Sequence, residues 1–190
     1  MLPLKDNIPT DRLPVVTLLL VAAGAIAIFL APDGGTLQLI ASAIFLWIFG
    51  TSVEDSMSRV RFPVFCVLGG AAATGVALLL DRDATVAPIA AAGAAAAVLG
   101  GYIRLYPRAR VVSATLVPFA VTLIEVPAWG FVGAWFVIQA VLAAVAPAGP
   151  DGAGAFLAQA VSFAFGVLAI RAFAQRRKPA PSPPAMAALS

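Results

Sequence analysis

The sequence predicts an all-α integral membrane protein, a bundle of six transmembrane helices with both ends of the chain in the cytoplasm. Three observations predict this fold. The chain is 62% hydrophobic and only 11% charged, whereas soluble domains contain roughly 45–50% apolar and about 25% charged residues. Apolar runs of helix length recur between charged or Gly/Pro-containing segments. If six of these runs span the membrane, the basic residues collect on one side of it.

The apolar runs define the helices. A transmembrane helix needs roughly 20 mostly apolar residues. Six runs come close to this length, at about 14–31, 36–52, 62–80, 86–103, 127–145 and 153–172. A seventh stretch, 111–124, is shorter, contains Pro118 and is followed by Glu125, so it is predicted to be an interfacial or re-entrant segment. The first run is predicted to be retained as a helix, because Asp6 and Asp11 are atypical of a signal peptide.

Charge placement supports six spans. With the N-terminus inside, the cytoplasmic loops and ends hold every Lys and Arg of the chain except Arg82, as the positive-inside rule predicts. A seventh span at 111–124 would place the arginine-rich C-terminus outside. The net charge of +3 therefore reflects orientation and weak attraction to anionic lipid, and nucleic acid is not an expected partner. We expect a multi-pass protein of the cell's inner (plasma) membrane.

The rest of the composition limits the chemistry. The transmembrane domain is predicted to occupy residues 1–175. Residues 176–190, RRKPAPSPPAMAALS, are predicted to be a basic, Pro/Ala-rich disordered tail with too little apolar content to fold alone. The chain has a single cysteine, Cys66, and no histidine. A disulfide within the chain and a cysteine metal cluster are therefore excluded, the commonest general base is missing, and no metal or other cofactor is expected.

Several segments of the chain form a recognisable series. They are the N-terminal PLKDNIPTDRLPVVT, FLWIFGTSVED at 45–55, VLGGYIRLYPRARV at 98–111, PAW and WFVIQ within 127–139, and GVLAIRAF at 166–173. In sequence and in order, these segments resemble those of bacterial rhomboids, the six-helix intramembrane serine proteases. The resemblance implies the rhomboid fold. It also implies a serine nucleophile in a Gly-x-Ser-Gly motif on the fourth helix, a histidine base on the sixth, and an oxyanion-binding His-x-x-x-Asn pair on the second.

Counted from these segments, the catalytic positions of that family hold other residues in this chain. The serine position is Ala92, followed by a retained Gly93, and the histidine position is Gln159. The second-helix pair is Gln38 and Ser42, whose i, i+4 spacing keeps them on one helix face. An amide does not take up a proton near neutral pH, so Gln159 cannot act as a base. In a serine protease, losing either the serine or the histidine costs about 10⁶ in kcat.

Two functions follow from this degenerate site, with a third as an alternative. A pseudoprotease would bind transmembrane helices of client proteins beside the second and fifth helices, where Gln38 and Gln159 offer hydrogen bonds. An accessory subunit of a larger membrane complex would have a filled, dry interior, which Ala41, Ala90 and Ala92 favour. The alternative is an active rhomboid serine endopeptidase, which the residue content opposes. The expected partners are membrane lipid and the transmembrane helices of clients or of a complex.

The polar and small residues also have structural interpretations. Gln38 and Gln159 can hydrogen-bond between helices, and Ser42 and Ser162 can bond carbonyls of their own helices. Small residues that permit close helix contact are predicted to pack the bundle, namely Gly69, Gly70, Gly75, Gly93, Ala97 and Gly101.

Overall fold

A computed structural model describes residues 2–6, 13–30, 35–117, 120–145 and 153–175. The helices in these ranges are α1 Val15–Leu30, α2 Thr36–Asp55, α3 Arg61–Leu80, α4 Val86–Leu105, α5 Ala128–Val145 and α6 Ala155–Phe173. The strands are β1 Leu2–Asp6, β2 Arg110–Val117 and β3 Ala120–Pro127. Helix α2 contains a π-helical section at Leu46–Gly50. The predicted tail, 176–190, lies outside the described residues.

The helices confirm the predicted six-helix membrane bundle. Helices α2 to α6 are long and apolar enough to cross a membrane, and α1 is a shorter apolar helix. Their bounds lie within a few residues of the six predicted runs. Spanning helices form in such runs because each backbone N–H and C=O in hydrocarbon must be hydrogen-bonded within its own segment.

The connection between α4 and α5 is a β-hairpin. Strand β2 pairs antiparallel with both β3 and β1, giving the sheet order β1-β2-β3. The segment 111–124 is therefore not a spanning helix, as predicted, but its strand structure was not foreseen, although β-branched residues favour strands. Because β1 pairs with β2, the N-terminal residues and the α4–α5 connection lie at the same end of the bundle, as alternating spans require.

Helix α4 forms the centre of the bundle. It contacts α2, α3, α5 and α6, and its residues from Ala92 to Tyr102 are all buried. This run consists mostly of Ala and Gly, whose small side chains let the neighbouring backbones come close. Helix α5, in contrast, is the least buried of the long spans.

Helices α4 and α6 are in direct backbone contact. A Cβ atom added to Gly166 would lie 2.7 Å from the carbonyl carbon of Ala97, and one added to Gly100 would lie 3.1 Å from the carbonyl carbon of Phe163. Carbon atoms normally approach to about 3.5–4.0 Å. Glycine at both positions is therefore required for this crossing.

Helices α3 and α4 also pack through small residues. A Cβ on Gly70 would lie 2.9 Å from the carbonyl oxygen of Ala90, and one on Gly93 would lie 2.9 Å from the carbonyl oxygen of Gly69. These contacts confirm the predicted role of the three glycines. The prediction is wrong for Gly75, because a Cβ there would meet nothing within 4 Å.

A buried carboxylate joins the start of α1 to the end of α2. The backbone N–H of Val16 donates to Oε1 of Glu54 at 3.0 Å, and the N–H and hydroxyl of Thr17 donate to Oε2 at 2.8 and 2.7 Å. The first N–H groups of a helix have no partner within it, and the helix dipole favours an anion there. Glu54 therefore caps α1 and fixes it against α2.

Candidate functional site

The predicted site residues surround one cavity. Gln38 on α2, Ala92 on α4 and Gln159 on α6 all line a cavity of about 620 Å³. Ala92 and Gln159 are each 5% exposed, and Gln38 is half-buried. The fold thus brings together three residues that lie far apart in the sequence.

The start of α2 is shaped by one glycine. Gly35 precedes α2 with a φ of 81°, a region that favours glycine. A Cβ at this position would also lie 3.0 Å from the Cβ of Pro88 on α4. The close approach of Gly35 to α4 brings the first turn of α2, which carries Gln38, to the cavity wall.

The mouth of the cavity lies at the α3–α4 connection, at the opposite end of α4 from the sheet. Asp81, Asp83 and Thr85 line it there, and Gly154 and Ala155 line it at the start of α6. The backbone N–H of Asp83 donates to Oδ1 of Asp81 at 3.1 Å. This turn presents two carboxylates at the entrance.

A second cavity, of about 40 Å³, lies between α2 and α5. Its lining includes Gln38, Ala92 and Ser42 from the predicted set, together with Trp135 and Gln139 of α5. The hydroxyl of Ser42 donates to the carbonyl oxygen of Gln38 at 2.7 Å. Its proton is therefore used within α2, as the structural interpretation of Ser42 predicts.

Gln139 also belongs to this site, although it is not among the predicted site residues. Its Nε2 donates to Oε1 of Gln159 at 2.9 Å, which confirms that Gln159 bonds between helices. A usable signal was present, because a glutamine within an apolar span is expected to face the bundle interior. Gln139 thereby ties α5, the least buried long span, to α6 at the edge of the cavity.

Gly93 lies where α3, α4 and α6 meet. A Cβ on Gly93 would lie 3.2 Å from Oγ of Ser162 as well as against Gly69. The hydroxyl of Ser162 donates to the carbonyl oxygen of Gly69 at 2.7 Å. Ser162 therefore bonds across to α3 and not to its own helix, contrary to the prediction. This junction leaves no room for a larger residue at Gly93.

The residues that line the cavity with Ala92 include five polar ones, Gln38, Gln159, Thr85, Asp81 and Asp83. Within the described ranges, no group of three or more His, Cys, Asp or Glu side chains is placed to hold a metal ion. Its side chains can accept and donate hydrogen bonds and attract a cation at the mouth.

Comparison with known families identifies the domain. The model of the Rhomboid domain family matches residues 27–176. The matched region runs from the end of α1 through α6 and contains all the candidate site residues. No curated protein and no solved structure matches the chain.

Proposed function

The chain belongs to the rhomboid family, and we propose that it is a proteolytically inactive member that binds transmembrane segments of client proteins. Its helices make it a multi-pass membrane protein, and the proposed location is the inner (plasma) membrane. The observation that carries the proposal is the open cavity of about 620 Å³ whose wall holds Ala92 and Gln159.

The proposed inactivity is supported by the side chains at the cavity. Peptide hydrolysis by a serine protease needs a nucleophile, a base that takes its proton, and donors for the oxyanion. The methyl group of Ala92 cannot attack a carbonyl, and α4 contains no Ser or Thr. The chain has no histidine, and the amide of Gln159 does not accept a proton near neutral pH.

Client binding is supported by the cavity beside Ala92 and Ala158. In an accessory subunit that only packs against its neighbours, larger side chains at Ala92 and Ala158 would fill the cavity and add buried apolar surface. Both positions instead keep small residues on the cavity wall. The Gln38 and Gln159 amides give this apolar space hydrogen-bonding groups, which single-span clients can use within the membrane.

A native purification with a cavity-filling variant tests the proposal. The full-length protein and Ala92→Leu are purified in mild detergent after photo-crosslinking in cells, and the captured proteins are identified by mass spectrometry. We expect the wild type to capture diverse single-span proteins at low stoichiometry and Ala92→Leu to capture fewer. Ala71→Leu, on the exposed face of α3, serves as the matched control and should capture as the wild type does.

Two results would contradict the proposal. A single stoichiometric set of partners, captured equally by Ala92→Leu, would indicate an accessory subunit of a membrane complex. Labelling by a serine-directed fluorophosphonate that maps inside the bundle would indicate an active serine endopeptidase. Retention of a monodisperse elution profile by each variant shows that it is folded.

A further inference from the structure

The cavity carries polar groups at two depths along α4. Asp81 and Asp83 lie at the mouth, next to Thr85 where α4 begins. Ala92 follows Thr85 by seven residues, so the level of Ala92 and Gln159 lies about 10 Å deeper at 1.5 Å per residue. A segment that enters from the α3–α4 end meets carboxylates first and amides second.

The deep level has an unused hydrogen-bond donor. Gln159 is 5% exposed, and its Oε1 is engaged by Gln139. Within the described parts of the chain, no acceptor bonds the Nε2 of Gln159, and this side chain lines the cavity. This N–H therefore remains available to an acceptor that an occupant of the cavity supplies.

The mouth favours a cation. Asp81 is half-buried and Asp83 is exposed, and both face the same cavity, whereas the intervening Arg82 is not among the lining residues. Two carboxylates at the edge of an apolar wall attract a basic group and repel a phosphate. The headgroup of an anionic lipid is therefore a poor occupant of this mouth.

We propose that the cavity selects transmembrane segments that carry a Lys or Arg at their outer boundary and a hydrogen-bond acceptor about 10 Å deeper. This inference rests on the proposed client-binding function and names the class of client. The basic side chain lies against Asp81 and Asp83. The acceptor, an Asn, Ser or Thr side chain, takes the Nε2–H of Gln159.

Synthetic single-span peptides test the selectivity. The full-length protein is placed in nanodiscs of phosphatidylcholine, and binding of fluorescent Leu/Ala peptides is measured by energy transfer. One peptide carries Lys at its outer boundary and Asn further in, with their spacing varied, and its match carries Gln in place of Lys. We expect the wild type to bind the Lys peptide about fivefold more tightly at low salt, as one exposed ion pair permits.

The carboxylate variant separates the inference from the proposed function. In the double variant Asp81→Asn/Asp83→Asn, the preference for the Lys peptide over the Gln peptide should disappear, while the affinity for the Gln peptide stays unchanged. Asp6→Asn, in β1, is the control and should keep the preference for the Lys peptide. A Lys preference that survives the double substitution overturns the inference.

The Ala92→Leu variant tests the proposed function separately. If Ala92→Leu binds both peptides more weakly than the wild type does, the proposed function stands. If the wild type binds neither peptide more tightly than Ala92→Leu does, the proposed function fails. Displacement of the peptide by phosphatidylethanolamine that depends on Asp81 would make a lipid the occupant and overturn the inference.

Discussion

Substitution of Gly166 by alanine is expected to destabilise the bundle by forcing α4 and α6 apart. The new Cβ would lie 2.7 Å from the carbonyl carbon and 2.8 Å from the Cα of Ala97, against a normal carbon–carbon approach of about 3.5–4.0 Å. The obstructing atoms belong to the backbone of α4, so no side-chain rotation relieves the contact. The two helices must separate by roughly 1 Å.

The size of the effect follows from two opposing terms. Overpacking a well-packed interior costs about 1–3 kcal/mol, whereas replacing Gly by Ala within a helix gains about 1 kcal/mol. The overpacking term is expected at its upper end, because the contact is with backbone and because Gly100, one turn further along α4, is also in backbone contact with α6. We therefore expect a net loss of about 1–2 kcal/mol in the free energy of unfolding.

Gly75→Ala is the matched control. A Cβ at Gly75 meets nothing within 4 Å, so this variant should be as stable as the wild type or gain up to about 1 kcal/mol. Unfolding is followed by tryptophan fluorescence in mixed micelles as the fraction of denaturing detergent rises. If Gly166→Ala unfolds at the same detergent fraction as Gly75→Ala, the backbone contact between α4 and α6 is not as close as described.

Three further substitutions test the polar contacts. Glu54→Gln should lower the free energy of unfolding by about 1–3 kcal/mol, because an amide cannot accept all three hydrogen bonds. Thr17→Ser keeps the hydroxyl and should lower it by less. Equal losses in the two variants would contradict the capping of α1 by Glu54. Ser162→Ala removes the bond from α6 to an α3 carbonyl and should cost about 1 kcal/mol in the same assay. Gln139→Leu leaves Oε1 of Gln159 without its donor, so spin-label distances between α5 and α6 should broaden; an unchanged distribution would show that this bond does not hold α5.

The helical spans were predictable because hydropathy is a local property. Runs such as 62–80 and 153–172 must hydrogen-bond their own backbone wherever they cross a membrane, so their helices follow from composition and length. The hairpin at 110–127 was less predictable. Its strand β2 pairs with β3 and also with β1, which lies more than a hundred residues away in the sequence, so local hydropathy does not reveal the sheet.

The site was predictable in part. The resemblance to rhomboids placed Ala92, Gln38 and Gln159 at the catalytic positions of that family, and in the structure all three residues line one cavity. The partner of Ser162 was predicted wrongly, because the choice between its own helix and α3 depends on how closely the two helices approach. Gln139 was missed because its neighbour Gln159 is on another helix.

The membrane environment, the positions of the spanning helices and the absence of histidine are properties of residue order and composition, and folding cannot alter them. The open cavity at Ala92, the hydrogen bond between the Gln139 and Gln159 side chains and the lack of a close neighbour at Gly75 depend on how each helix is rotated and tilted against its neighbours. An alanine contacts a neighbour when the facing backbone is close and borders a cavity when it is not. That separation is set by contacts between helices, such as Gly166 against Ala97.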